Sequence, residues 1–281
     1  MTMQAREAVT HGAARASHAI RPRNPALAFD DLPRHWFAGS AVATHIVNGV
    51  NLLFPAGERF FVRSVRHYLD RIADDPVLTA QVKGFFGQEG RHAGAHERYF
   101  AILEGQGYEI AGFLRAYERS AYAVIEKMST PALRLSATVA LEHFTAIMAE
   151  DALAKDMLAE AHPAMQRLLL WHAAEEIEHK AVAFDVLAKV SPGYPLRMAG
   201  MAIAIAMLGG FWVAATKMLL RQDGVTKEAA RAEMARLRER SPIAKRVFLR
   251  GIREYVRRDF HPSDNDNYHL ARDFLAREGL G

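Results

Sequence analysis

Two short segments, Glu89-Gly90-Arg91-His92 and Glu176-Ile177-Glu178-His179, share the spacing Glu-x-x-His, and this constrains the chain more than any other feature of it. On an α-helix, residues three apart lie roughly 60° apart around the axis, so each pair aims a carboxylate and an imidazole at one point. Those are the donors through which proteins without thiols hold divalent metal ions. One Glu-x-x-His is common by chance; two of them, each preceded by a helix carrying another Glu, are not. The preceding carboxylates are Glu58, in Phe54-Pro55-Ala56-Gly57-Glu58-Arg59-Phe60-Phe61, and Glu142, in Ala140-Leu141-Glu142-His143-Phe144. The order Glu, Glu-x-x-His, Glu, Glu-x-x-His predicts four helices projecting their ligands into one interior.

The second segment offers more donors than the pattern needs. His172 lies four residues before Glu176 and seven before His179, so all three side chains fall within about 60° of arc. Glu175, four residues before His179, competes with Glu176 for the inner position. The spacing shared with Glu89 and His92 favours Glu176, leaving Glu175 and Glu178 a supporting place or the surface. His96 is one turn beyond His92 on the same stripe and is expected to contact substrate or hydrogen-bond a ligand. Asp185, six residues after His179, is expected to accept the second N–H of a ligand imidazole. His143 points about 100° away from Glu142 and reads as a packing residue. Spacing assigns no role to His261, in Asp259-Phe260-His261-Pro262.

Periodicity is helical nearly throughout, with Pro and Gly between the periodic segments, so the fold class is all-α. Helices are expected over residues 36–53, 55–72, 76–105 and 110–128. A fifth opens at Pro131 and carries Glu142, and a sixth runs from Pro163 to just before Ser191. Residues 1–30 read as a mobile tail, 31–195 as the metal-binding bundle and 196–281 as a C-terminal helical extension.

The chain has no cysteine, which excludes disulfides, thiolate zinc sites, iron–sulfur clusters and cysteine nucleophiles. Any metal is therefore held through nitrogen and oxygen, with thirteen histidines available. The first thirty residues lack the apolar run of a secretory signal, and a cytoplasmic protein is expected. Residues 198–216 carry no charge, which is long enough for a membrane span, although a buried core helix and an interfacial segment fit as well. Residues 231–258 hold ten Lys and Arg against three Glu. With the apolar run before it, this block suits either a solvated face or peripheral contact with an anionic cytoplasmic membrane surface. Nucleic acid is not expected, because no binding module accompanies the charge. A homodimer is compatible with the sequence.

The segments around Glu58, Glu89-His92, Glu142, Trp171-His172 to His179-Lys180 and Phe260-His261-Pro262 resemble the bacterial family of predicted metal-dependent hydrolases, over about residues 36–261. That resemblance implies metal binding and a ferritin-like four-helix bundle, with no substrate attached. The metal helices alone are also similar to the seven-ligand set of the di-iron arylamine N-oxygenases. Carried over residue by residue, this gives Glu58, Glu89, His92, Glu142, His172, Glu176 and His179 as ligands, with His172 the additional one. The leading expectation is therefore a non-haem di-iron enzyme that uses dioxygen and an electron donor on a small apolar or lipid-like substrate. The alternative is a hydrolase with a two-metal-activated water, for which manganese or zinc would serve in place of two iron ions. A third reading is a non-catalytic iron or oxidative-stress protein.

Overall fold

A computed structural model describes residues 19–155, 157–240 and 245–281. Among them there are helices and turns and no strand. The first eighteen residues of the expected tail lie outside the described residues. From Ile20 onward the chain is not a tail. Ile20 packs on Gly84, Pro22 nests on Gly87, and Phe29 is buried in the core.

The first helix, α1 (Ala41–Asn51), starts later than residue 36, because Ser40 supplies the cap: its Oγ accepts the Ala43 N–H at 2.9 Å. Trp36 lies before the helix as a buried anchor, its indole N–H donating to Tyr99 at 2.8 Å. The helix α2 (Phe54–Arg66) has Pro55 in its opening turn, and α3 (Pro76–Gly105) is capped by Asp75 and spans about 45 Å. The stretch expected as one helix over 110–128 is interrupted. It comprises α4 (Ala111–Glu118), a π-helical turn (Arg119–Val124) and the short α5 (Ile125–Met128).

Thr130 caps α6 (Pro131–Ala154), and His162 caps α7 (Pro163–His179). The expected continuation of α7 breaks at Lys180 and resumes as α8 (Val182–Val190). At the break Lys180 is buried, and its ammonium donates to the Asn265 carbonyl and to Asn267 Oδ1, both at 2.5 Å. There follow α9 (Tyr194–Gln222), α10 (Lys227–Arg240), α11 (Gly251–Tyr255) and α12 (Tyr268–Arg277).

Apolar side chains form two clusters with a polar layer between them. Along α3, Phe85 belongs to the first cluster and Tyr99 to the second, and Glu89 and His92 lie between. The first cluster meets the layer where Phe85 packs edge-on to His179, with centroids 5.0 Å apart. The second meets it where Trp171 packs on His92 at 4.9 Å.

The C-terminal region is part of the same body: α9 packs along α6 and α1, and α12 against α7. Close approach of α9 requires glycine. A Cβ on Gly200 would stand 2.5 Å from the Ser136 backbone, and one on Gly49 3.2 Å from the Thr216 backbone N. Among the described residues, α9 is the single helix long and apolar enough to cross a membrane. One of its faces covers the bundle through Met201, Ala204 and Leu208, and the other leaves Ala202, Ala206 and Val213 exposed.

Candidate metal centre

Each donor arrives from a helix whose start is fixed locally. Pro55 sets the phase of α2 and so of Glu58; the Asp75 cap, whose carboxylate accepts the Leu78 N–H at 2.9 Å, does the same for Glu89 and His92. Thr130 and His162 begin the helices of Glu142 and of His172, Glu176 and His179. All seven side chains are buried together.

Glu176 Oε1 is the hub. It lies 3.0 Å from His172 Nε2, 3.4 Å from His179 Nε2 and 3.8 Å from His92 Nδ1. His179 Nε2 also stands 3.1 Å from Glu89 and 3.4 Å from Glu142, and His172 Nε2 is 3.6 Å from Glu58. These contacts do not satisfy the donors and acceptors. Both oxygens of Glu58, Glu89 and Glu142, with Glu176 Oε2, His92 Nδ1 and His179 Nε2, have no hydrogen-bond partner among the described residues. Buried polar atoms are ordinarily paired, so this concentration of unpaired acceptors aimed at one volume is the arrangement a cation satisfies.

The electrostatics point the same way. Burial first, and then the neighbouring carboxylates, push Glu58 and Glu89 well above the usual carboxylate range. Burial likewise takes Glu142 to about 7. Burial opposes ionisation of Glu176 as well, but His179 and His172 hold it well below its ordinary value. Burial and then His172 keep His92 well below the usual imidazole range, leaving it neutral, the form that binds metal.

A surrounding layer fixes the imidazoles. Gln88 Oε1 accepts His179 Nδ1–H at 2.9 Å, which turns Nε2 toward the carboxylates; against the opposing effect of burial, Glu176 and Glu142 hold this imidazole well above its usual range, so a metal ion would take the place of the Nε2 proton. Glu175 Oε2 accepts His92 Nε2–H at 3.0 Å, which turns Nδ1 inward. Glu175 is thus the support and Glu176 the inner carboxylate, as the repeated spacing favours. Arg23 completes the layer, its backbone N–H donating to Glu175 at 3.1 Å and its guanidinium gripping Glu178 at 2.6 and 2.9 Å. His96 Nε2 lies 2.7 Å from His172 Nδ1, the hydrogen-bonding role expected of it.

Asp185 departs from expectation. Its imidazole neighbour is His261, at 3.1 Å, whose other nitrogen accepts the Ser263 N–H. The place beside His179 Nδ1 belongs to Gln88, and Asp185 lies on a separate helix that begins after the break at Lys180. His143 packs against Phe260 and bonds the Gly251 carbonyl, as a core histidine.

Sequence spacing missed Gln88 and Arg23, whose partners lie 91 and 152 residues away. Also unforeseen was a pair of tyrosines, Tyr117 and Tyr122, with hydroxyls 2.7 Å apart. They line an apolar cavity of about 70 Å³ that reaches Glu58. A further group, His35, His45 and Asp223, closes the end of α9. Arg34 already donates to Asp223 Oδ1 at 2.7 and 2.9 Å there, and Tyr108 donates to the same carboxylate, so it is a satisfied capping network.

A family model described as a predicted metal-dependent hydrolase matches residues 21–266, most of the chain and every residue of the centre. The chain belongs to that family. Membership carries metal dependence and extends the resemblance read from the motifs at both ends. It favours the hydrolytic alternative over the oxygen-dependent reading put first from sequence, for which the family offers no support. Neither a curated protein nor a solved structure matches the chain.

Proposed function

We propose that this member of the predicted metal-dependent hydrolase family is a two-metal hydrolase built on a ferritin-like bundle. Glu58, Glu89, His92, Glu142, His172, Glu176 and His179 are its ligands. The observation that carries the reading is the set of unpaired buried oxygens and imidazole nitrogens converging from α2, α3, α6 and α7. When bound, such an ion pair lowers the pKa of a water molecule and polarises the bond to be cleaved.

The protein's own residues set the rest. Glu58 is the ligand that meets the apolar cavity, so the reacting bond is presented from the α2 side. Val50, Phe54, Phe61 and Leu208 line that approach, exclude bulk water and favour an apolar group. Burial pushes the Tyr117 hydroxyl up to about 12, which keeps it protonated and able to hold a substrate oxygen. Gln88 and Glu175 keep His179 and His92 in the tautomers that binding requires.

Metal content of the isolated protein, followed by loading with Mn(II), Zn(II) or Fe(II) and assay against uncharged and anionic esters, tests the proposal. Two ions per chain and metal-dependent cleavage abolished by Glu176→Gln are expected. Fewer than one ion per chain after loading, or cleavage that survives Glu176→Gln, would overturn it.

One observation favours a second reading, oxygen chemistry at two iron ions: a third imidazole, His172, directs Nε2 at Glu176 and Glu58. Colour developing when the Fe(II) form meets air, with no ester cleavage under any metal, would select it.

A further inference from the structure

Outside the apolar cavity lies a larger cleft of about 540 Å³ between the start of α2 and the π-helical turn. Tyr122 and Glu126 line both spaces, so the cleft adjoins, at Tyr122, the cavity that reaches Glu58. Four arginines, Arg59, Arg63, Arg115 and Arg119, line it against two glutamates, Glu118 and Glu126.

Their pairing is uneven. Arg59 is engaged by Glu97 at 2.5 Å and Glu118 at 3.6 Å, and Arg63 by Glu126 at 2.9 Å. Arg115 and Arg119, one helical turn apart on either side of the α4 boundary, form no ion pair among the described residues. Both are exposed to the cleft's solvent. Two guanidiniums without carboxylates, at the mouth of an apolar passage, favour an oxyanion. The turn that carries Arg119 and Tyr122 is π-helical, a local widening often found where a helix is shaped for a ligand.

We propose that the substrate is an anionic amphiphile. Its carboxylate or phosphate end is received by Arg115 and Arg119, and its apolar arm passes Tyr117 and Tyr122 to present an acyl bond beside Glu58. This rests on the hydrolytic reading for the bond cleaved. Water adds at the acyl carbon, the carbon–oxygen bond breaks, and the leaving oxygen takes a proton to depart as an alcohol while the acyl group leaves as a carboxylate and a proton.

The test separates binding from chemistry. Octanoate, octyl phosphate, octanol and octyltrimethylammonium are titrated by calorimetry into the metal-loaded wild type, Arg115→Glu/Arg119→Glu and Ala121→Phe. The two charge reversals lie on exposed positions and leave the core untouched, whereas Ala121→Phe fills the apolar passage. Circular dichroism and metal content serve as the check that each variant is folded and loaded.

Wild type is expected to bind at least one of the two anions at least tenfold more tightly than the neutral and cationic probes. The charge reversal is expected to remove that preference at unchanged metal content, and Ala121→Phe to weaken the preferred anion at least fivefold. Tighter octanoate identifies a carboxylate end, and tighter octyl phosphate a phosphate end. Equal binding of all four probes, or an anion preference that survives the charge reversal, overturns the proposal even if two ions are bound. Failure of ester cleavage with anion binding intact would overturn only the reaction assigned to the site.

Discussion

At the scale of the residue, the convergence of the two Glu-x-x-His segments was legible because a helix turns equal spacing into equal direction. Glu89 with His92, and Glu176 with His179, needed no tertiary knowledge, and His172 followed from phase. What phase cannot show is the partner of the outward nitrogen. Gln88 sits beside Glu89 in sequence yet acts on His179, a helix away. Arg23 acts on Glu175 from a segment read as a tail. Asp185, six residues after His179, meets His261, because one helix ends at His179 and the next begins at Val182.

This layer gives the first prediction. Glu175→Gln keeps an acceptor for His92 but loses the charge that raises the basicity of the ring, so metal affinity is expected to fall about 10-fold or more with the fold intact. Competition with a chromophoric chelator measures it; unchanged affinity would show that Glu175 merely fills space. His172→Ala is expected to retain the bundle and lose metal from the side of Glu58, seen as lower occupancy by elemental analysis. Full occupancy in that variant would return His172 to simple packing.

At the scale of the element, helix existence was readable from periodicity, and helix ends only where a cap or proline marked them. Pro76, Pro131 and Pro163 each open a helix where expected. The π-helical turn within 110–128 has no such marker, since Arg119 to Val124 suit an α-helix as well. The uncharged run of 198–216 also left three readings open, because composition does not say what lies opposite. The glycines of α9 partly resolve it: Gly200 is pressed against the Ser136 backbone, which cannot swing aside. Gly200→Ala is therefore expected to destabilise the protein by about 1–3 kcal/mol, the usual range for overpacking. Gly209→Ala, where nothing lies within 4 Å, is expected to be neutral or slightly stabilising. Urea denaturation of the two variants distinguishes them, and equal midpoints would mean that α9 is not seated as described.

At the scale of the whole molecule, charge and apolarity are distributed unequally. The outward face of α9 is apolar, while α10, next along the chain, is rich in arginine. Peripheral binding to vesicles containing anionic lipid is expected, weakening as salt screens the basic residues. Sedimentation that is absent at low salt, or unaffected by salt, would remove the membrane from the picture. Metal should also stabilise the folded state, because ions bind the assembled ligand set far better than the open chain. Chelation is expected to lower the melting temperature, and readdition of metal to restore it.

The contact between Arg23 and the far end of the chain bears on how the protein is made. The same guanidinium that supports Glu175 and Glu178 donates through Nε to the Leu280 carbonyl, at 2.5 Å. Translation proceeds from one end to the other, so the helices bearing all seven side chains are synthesised about a hundred residues before that carbonyl exists. Until then the guanidinium that supports Glu175, and through it His92, lacks one of its acceptors. A chain lacking Leu280 and Gly281 is therefore expected to acquire metal normally and to lose it faster to a chelator than the full chain does.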